Sequence, residues 1–220
     1  MTHPCSSRPL AKSVAFLVLA ALAVTVSGAG ADNLVLNPGF ESPQTNSRPV
    51  GTSSILLDNW SVGNGLEMLL HDPGWPPHSG TQYLSLNAYG GVGWISQDLA
   101  TVAGETYDLS FFMSGSFYWF EGVKTLEVFW GGDSLGPVNF FKPSDWSTGR
   151  WALKSGGTLS GLTATGPSTE LKFLSWWNGY YDRGPAVDDI SVTPVPEPGS
   201  LSLLLLGLPG LVWLRRRRRA

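Results

Sequence analysis

The sequence contains almost no cysteine. Its single cysteine, Cys5, lies near the N-terminus, so the chain beyond it can form neither a disulfide nor a zinc–cysteine site. A domain without such crosslinks must be large enough to be stabilised by its own hydrophobic core. The 162 residues from 32 to 193 lie within the usual size range of a single domain.

Positive charge is scarce over the same range. Seven of the fourteen Lys and Arg residues lie outside residues 32–193, whereas sixteen of the seventeen Asp and Glu residues lie within it, so the net charge of this range is −9. A domain with this negative charge repels phosphate backbones, and we exclude nucleic acid as a partner. Cations and uncharged polymers are the partners that its charge favours.

The sequence has few signs of enzyme chemistry. It contains no His-Glu-x-x-His sequence, no phosphate-binding glycine loop and no cysteine nucleophile. His71 and His78 flank a proline-rich loop, and we expect a solvated loop there rather than a metal site. A carboxylate pair for glycoside hydrolysis cannot be recognised, because the separation of two carboxylates is not readable from sequence. We predict a protein that is not an enzyme; a secreted hydrolase is the catalytic alternative.

Short alternations of apolar and polar residues recur along the middle of the chain, and no amphipathic helix of three turns is present. Each alternation is bounded by Gly, Pro, Asn or Asp, which is typical of β-strands joined by turns. The strand-like segments begin at residues 33, 65, 81, 93, 106, 124, 150, 169 and 186. Nine strands at this spacing predict an all-β sandwich over residues 32–193.

The alternation also predicts which side chains face the core. The segments that begin at residues 106 and 124 place the following residues on one face: Tyr107, Leu109, Phe111, Met113, Leu126, Val128 and Trp130. Trp60, Trp94 and Trp151 also lie in strand-like patterns and are predicted to be core residues, since a large ring contributes much burial.

Three segments resemble those of a known fold family. NLVLNPGFE, residues 33–41, is similar to the opening strand and turn of galactose-binding-like jelly-roll domains, which include many carbohydrate-binding modules. GETYDLSFFMSG, residues 104–115, resembles their central strand, and AVDDISV, residues 186–192, resembles their last strand. The resemblance implies a jelly-roll β-sandwich over nearly all of residues 33–193.

Two carboxylates in these segments are candidate metal ligands. Asp188 has the same parity as Ile190 and Val192, which predicts that its carboxylate faces the core and needs donors or a metal ion. If the first and last strands are neighbours, Glu41, Asp188 and carbonyl oxygens of the turn at residues 37–39 form an all-oxygen site suited to calcium. The family resemblance implies a structural calcium in the same place. The alternative is that Asp188 accepts hydrogen bonds from the first turn and binds no ion.

Aromatic residues in polar, turn-like settings indicate a surface that binds sugar. Exposed rings stack on the C–H face of a pyranose, while nearby polar groups hold its hydroxyls. The candidates are Trp75, Trp119, Trp176, Trp177 and Tyr180. Adjacent strand residues point to opposite faces, so at most one of Trp176 and Trp177 belongs to the core. The alternative is that these aromatics fold back and cover a sheet edge.

Both ends of the chain differ from the middle. Residues 1–31 have the basic, apolar and small-residue parts of a secretory signal, which predicts export by the Sec machinery and a mature chain that starts near Asp32. The C-terminal end has a proline-rich linker at 194–200, an apolar segment at 201–214 and a basic tail at 215–220. A helix over the apolar segment spans about 21 Å of a hydrocarbon core of about 30 Å, so it is a marginal transmembrane helix. Its arginines stay in the cytoplasm and the sandwich lies outside.

This C-terminal layout, with Pro196-Glu197-Pro198 before the apolar segment, resembles the PEP-CTERM sorting signal of exopolysaccharide-producing Gram-negative bacteria. The resemblance implies transient anchoring in the inner membrane and cleavage near the motif by an exosortase; an ordinary membrane anchor with a proline-rich stalk is the alternative. The sequence thus predicts an exported protein of the cell surface or extracellular matrix, such as a biofilm, that binds exopolysaccharide without catalysis. A structural or adhesive matrix protein without a sugar site is the alternative function.

Overall fold

The computed structural model describes residues 32–45, 48–50, 57–63, 67–70, 76–86, 92–115, 122–142, 150–176 and 184–196. Within these residues the chain forms twelve β-strands and one short 3-10 helix, Gly157–Leu159. None of the described residues belongs to a helix with the length and apolar character that a membrane span requires. The secretory signal and apolar tail segment expected from the sequence lie outside the described residues.

The strands form two antiparallel sheets. In chain order they are β1 (Arg48–Val50), β2 (Ser61–Gly63), β3 (Glu67–Leu70), β4 (Tyr83–Ser85), β5 (Trp94–Ala100), β6 (Thr106–Gly115), β7 (Gly122–Trp130), β8 (Asp133–Lys142), β9 (Ala152–Lys154), β10 (Leu162–Thr163), β11 (Ser168–Ser175) and β12 (Pro185–Pro194). Sheet A has the order β1-β3-β4-β12-β6, with β9 and β10 both paired to β6, and sheet B has the order β2-β5-β11-β7-β8. The all-β class predicted from the sequence is confirmed.

The hydrophobic core lies between the two sheets and follows the predicted alternation. The buried side chains on β6 and β7 are Tyr107, Leu109, Phe111, Met113, Leu126, Val128 and Trp130. Across the sheets, the ring of Phe111 meets that of Phe173 edge to face, with centroids 5.1 Å apart. Burying a large apolar side chain contributes about 1.5–3 kcal/mol, so such facing pairs hold the sandwich together.

Strand β12 changes faces at a bulge. Its pairing with β6 shifts register just after Asp188, where Asp189 has a φ of 47°. As a result Ile190 and Val192 face the core, whereas Asp188 lies on the same side as its partner Phe112, on the outer face of sheet A. The prediction that Asp188 shares a face with Ile190 and Val192 is wrong, because the extra residue of a bulge reverses the alternation.

Strand β8 is not predicted by the sequence pattern. It contains Gly136, with a φ of 88°, and Pro137, two residue types that are depleted in strands. It forms the edge of sheet B, and its pairing with β7 shifts register between Glu127 and Phe129. An edge strand tolerates proline, because the missing N–H faces solvent, and proline and bulges at an edge discourage pairing with other chains.

Two tryptophans that were expected in the core lie on outer faces. The ring of Trp94, on β5, lies against Gly63 of the neighbouring strand β2, where a Cβ would be only 2.2 Å from Cζ2 of the indole. Trp151 packs edge-on against Tyr83 on the outer side of sheet A, with centroids 5.2 Å apart. The other two, Trp60 and Trp130, are core residues as predicted.

The contact between Trp94 and Gly63 predicts a specific cost for adding one methyl group. In Gly63→Ala the new Cβ forces the indole off the sheet, so we expect the free energy of unfolding to fall by about 1–3 kcal/mol. Gly166→Ala is the matched control, since the nearest atom to its Cβ is 3.7 Å away. Urea unfolding of both variants measures the difference.

A double variant separates this contact from a general effect of the substitution. In a Trp94→Ala background there is no ring for the new Cβ to meet, so the loss caused by Gly63→Ala should be much smaller there. Equal losses in the two backgrounds would contradict the packing described above.

Candidate functional site

The first described residues run beside the last strand. Residues 33–36 form no strand, contrary to the expectation from their alternation, but they hydrogen-bond to β12. The N–H of Leu34 donates to the carbonyl oxygen of Val192 at 2.9 Å. The N–H of Ile190 donates to the carbonyl oxygen of Pro38 at 3.0 Å. The turn that follows residue 36 is thereby held against the bulge of β12.

Asp188 lies at this bulge and has no exposed surface. Its Oδ2 accepts the main-chain N–H groups of His78, at 2.9 Å, and Ser79, at 3.3 Å, and its Oδ1 accepts that of Asp189 at 2.8 Å. Burial, followed by the neighbouring charge of Asp189, raises the pKa of Asp188 from 3.8 to about 7, although the three N–H hydrogen bonds act in the opposite direction. The carboxyl is therefore solvated by the main chain but remains costly to ionise.

Asp189 binds the same segment from the other side. Its Oδ2 lies 2.6 Å from Nδ1 of His78, and its Oδ1 accepts the hydroxyl hydrogen of Ser79 at 2.7 Å. The His78 ring stacks on Phe112 of β6, with the centroids 3.3 Å apart and the planes 15° from parallel. His78 lies in a loop and is exposed, as expected from the sequence, but its ring also packs on the outer face of sheet A. His71 lies outside the described residues.

Glu41 fixes the continuation of that segment. Its Oε1 accepts the N–H groups of Thr81, at 2.8 Å, and Gln82, at 3.1 Å, and its Oε2 accepts the Thr81 hydroxyl at 2.6 Å. Gly80 has a φ of 62°, and a Cβ there would be 2.1 Å from Oε1 of Glu41. Only glycine therefore allows the chain to turn so closely over this carboxylate.

The two predicted metal ligands lie around Gly39. A Cβ on Gly39 would be 3.5 Å from Oδ1 of Asp188, 3.4 Å from Oδ1 of Asp189 and 3.9 Å from Cγ of Glu41. Oxygen ligands and uncompensated negative charge are what calcium requires. Among the described side chains, however, no three His, Cys, Asp or Glu residues form a metal site, so an ion here would need main-chain oxygens or water as well.

Carbonyl oxygens of the first turn, the other ligands predicted from the sequence, accept hydrogen bonds within the protein. The Asn37 oxygen accepts the indole N–H of Trp60 at 3.2 Å, and the Pro38 oxygen accepts the N–H of Ile190. The Phe40 side chain fills the core as expected, and its carbonyl oxygen accepts the Gln82 side-chain amide at 2.6 Å. These oxygens accept N–H donors, and the carboxylate oxygens of Glu41 and Asp188 likewise accept N–H or O–H donors. An ion at this place would have to share its protein ligands with those donors.

Trp176 lies on the outer face of sheet B, directly after β11. Ser175 before it is buried, and the Trp176 side chain is 56% exposed. Its main-chain N–H donates to the carbonyl oxygen of Thr125 on β7 at 3.1 Å, and its indole N–H donates to Oε2 of Glu127 at 2.8 Å. Glu127 also accepts the hydroxyl hydrogen of Ser134 on β8. Three strands thus hold one exposed ring in place.

The remaining predicted residues are not placed by the structure. Outside the described residues lie Trp75, Trp119, Trp177, Tyr180, Glu197 and Pro198. Pro196 is the last described residue and is exposed. The structure therefore brings Glu41 and Asp188 together and places Trp176 on a different sheet.

A Gly-x-Ser-x-Gly sequence, residues 132–136, begins in the turn between β7 and β8 and continues into β8; it formally fits the nucleophile elbow of α/β-hydrolases. An elbow requires a strand, a sharp turn and a helix, with the serine beside a histidine. Here the sequence lies in an antiparallel hairpin, and the Ser134 hydroxyl donates to Glu127. The geometry is that of a hairpin and not of a hydrolase elbow.

No protein-family model and no curated protein sequence matches the chain. Solved structures do match its fold. A cyclase from Fischerella sp. TAU is 13% identical over 76% of this chain and 99% of its own, with a TM-score of 0.53. TmCBM61, in complex with β-1,4-galactotriose, is 19% identical over 75% of this chain and 100% of its own, with a TM-score of 0.49.

A family 35 carbohydrate-binding module from Clostridium thermocellum is 13% identical over 67% of this chain and 98% of its own, with a TM-score of 0.44. At these identities the likeness shows the fold alone, and any function has to be argued from the residues of this chain.

The buried carboxyl of Asp188 predicts how stability depends on pH when divalent cations are removed. Because its pKa is raised from 3.8 to about 7, the folded protein holds this proton more tightly than the unfolded chain does. The free energy of unfolding contributed by this group is therefore greatest below about pH 4, falls as the pH rises towards 7, and is constant above that.

Asp188→Asn cannot ionise and should lack this fall in stability. Asp98→Asn, at an exposed position of β5, is the matched control and should keep it. Urea unfolding in EDTA at about pH 4.5, 6 and 7.5 measures the slope. Identical pH profiles for the natural protein and Asp188→Asn would contradict the raised pKa.

Proposed function

We propose that the protein is exported to the cell surface or extracellular matrix, where its β-sandwich binds polysaccharide without catalysis. The observation that carries this proposal is the exposed ring of Trp176, which is held by its hydrogen bond to Glu127. A ring that is already fixed loses little conformational entropy when a ligand binds, and its face can stack on the C–H groups of a sugar.

A non-catalytic role is supported by the position of the one described carboxyl whose pKa is raised towards neutrality. A general acid must reach the reacting atom of its substrate. Asp188 has no exposed surface and is covered by the main chain of His78 and Ser79. Its shifted pKa is therefore explained by its structural position beneath this segment.

The export and sorting parts of the proposal rest on the two ends of the sequence. The signal at residues 1–31 directs the chain outward, and the motif Pro196-Glu197-Pro198 with its apolar segment and arginines is the substrate of an exosortase. We expect the mass of the exported protein to show loss of residues from the C-terminal side of the motif. An exported protein that still ends at Ala220 would contradict processing.

Calcium bound by Glu41 and Asp188 is a further part of the proposal. Asp188 and Asp189 repel each other in a buried setting, and a divalent cation beside them would offset that repulsion. We expect the melting temperature at neutral pH to rise when calcium replaces EDTA, and Asp188→Asn to lose this rise while Asp98→Asn keeps it. An unchanged melting temperature in calcium would contradict the proposal that the protein binds this ion.

Sugar binding is tested by a glycan array probed with the purified protein and with Trp176→Ala. We expect binding to at least one polysaccharide, reduced about tenfold or more in the variant because the stacking ring is lost. Leu153→Ala is the matched control: this side chain is also 56% exposed, but it lies on β9 of sheet A. Absence of binding to every glycan would favour a structural or adhesive protein instead.

A further inference from the structure

The outer faces of the two sheets differ in what covers them. On sheet A, Phe112 lies beneath the ring of His78, Tyr83 lies beneath Trp151, and Asp188 lies beneath the main chain of residues 78–79. Leu153 on β9 is an exposed apolar side chain on that face. On sheet B the described side chains include a group of three exposed apolar residues: Val123 at 51%, Phe141 at 68% and Trp176 at 56%. A soluble domain exposes such a group of large apolar side chains at a cost, and exposed apolar patches commonly mark binding surfaces.

These residues form a continuous row, here called the outer strip, composed of Trp176, Thr125, Asn139, Val123 and Phe141. Trp176 lies beside Thr125, Thr125 pairs with Asn139, and Val123 pairs with Phe141. The row therefore crosses from β11 over β7 to β8. Its aromatic ends are separated by two strand spacings across the sheet and by two residues along β8, which together amount to about 12 Å.

The middle of the outer strip is polar. The Thr125 hydroxyl donates its hydrogen to Oδ1 of Asn139 at 2.7 Å, which fixes the orientation of an exposed side-chain amide. The two N–H hydrogens of that amide are then directed away from Thr125 and are suited to donate to hydroxyl oxygens. Two exposed rings with oriented hydrogen-bonding groups between them are a complementary surface for a sugar chain, whose faces are apolar and whose edges carry hydroxyls.

The charges near the outer strip favour an uncharged ligand. Glu127 contacts the Trp176 indole and would repel carboxylated or sulfated sugars, as would the net charge of −9 over residues 32–193. The nearby cation, Lys172, has its Nζ 4.6 Å from the Trp94 centroid and 5.9 Å from that of Phe129. It is thus engaged with those rings, and it does not belong to the strip.

We propose that the outer strip binds an internal segment of an uncharged polysaccharide that lies across β11, β7 and β8. This inference rests on the proposed function and names its ligand class and its site. One pyranose ring covers one aromatic side chain, so a ligand that contacts both Trp176 and Phe141 must span more than one sugar unit. Binding is therefore expected to increase with chain length and to require both rings.

Affinity gel electrophoresis of the full-length protein tests this proposal. The gels contain either uncharged polymers (hydroxyethyl cellulose, β-1,3-glucan, galactan and mannan) or acidic ones (alginate and polygalacturonate). We expect retardation by at least one uncharged polymer, with the dissociation constant raised about tenfold or more by Trp176→Ala and by Phe141→Ala alike. Leu153→Ala should be unchanged. Free monosaccharide should not compete, whereas oligosaccharides of the same polymer should.

The outcomes separate this proposal from the proposed function. Two outcomes would contradict binding of an uncharged polysaccharide at the outer strip and leave sugar binding itself intact. One is retardation that is lost in Trp176→Ala but kept in Phe141→Ala, and the other is retardation by acidic polymers alone. Retardation by no polymer would overturn both. Dimerisation that is abolished by Phe141→Ala, measured by light scattering, would show instead that the exposed rings form an interface between two copies of the chain.

Discussion

Burial of the Asp188 carboxylate beside the bulge of β12 is the interaction on which the rest of the sandwich depends. Strand β12 lies between β4 and β6 in the middle of sheet A, and the first residues of the domain hydrogen-bond along it. The bulge turns Asp188 outward, and the segment that packs over it leaves its carboxyl with no surface exposed to water. The main chain of His78 and Ser79 supplies the missing donors, so a segment distant in sequence is fixed onto the sheet.

This arrangement makes the two outer faces unequal. Glu41 extends the same pattern by accepting the N–H groups of Thr81 and Gln82, and the covering segment packs over part of the outer side of sheet A. Sheet B has no equivalent pair of carboxylates to hold a segment over it within the described residues. Its outer face instead carries the exposed ring of Trp176, which Glu127 holds in place. This difference between the described parts of the two outer faces is why the proposed ligand site is assigned to sheet B.

Much of the fold was predictable because several core strands alternate between buried and less buried residues. The strands β6, β7 and β11 each bury every second side chain over several residues, and period-two burial is visible in a single sequence. Strand β8 was not predictable, because Gly136 and Pro137 are residue types that are depleted in strands, and they interrupt its sequence pattern. The face of Asp188 was predicted incorrectly, since a bulge depends on the pairing with β6 and leaves no local signal.

The candidate site was predictable only in part, for a related reason. Because Trp176 and Trp177 are adjacent, the sequence predicted that at most one of them belongs to the core. It did not reveal that Glu127, which holds the Trp176 ring, lies 49 residues away in sequence. Likewise, the stacking of His78 on Phe112 depends on how a loop returns over sheet A, which no spacing reveals. Phe141 was not singled out as a ligand contact, because its exposure becomes apparent only once β8 is recognised as a strand.

Amide chemical-shift mapping by NMR tests most directly whether the outer face of sheet B, with its exposed side chains Val123, Phe141 and Trp176, is the binding surface. Isotope-labelled protein is titrated with oligosaccharides cut from the uncharged polymer that retards it most. The account predicts the largest shifts at Thr125, Asn139, Phe141 and the indole N–H of Trp176, with the sheet A residues Phe112 and Ser191 unaffected. Shifts confined to sheet A, or shifts that leave β7, β8 and Trp176 unchanged, would contradict it.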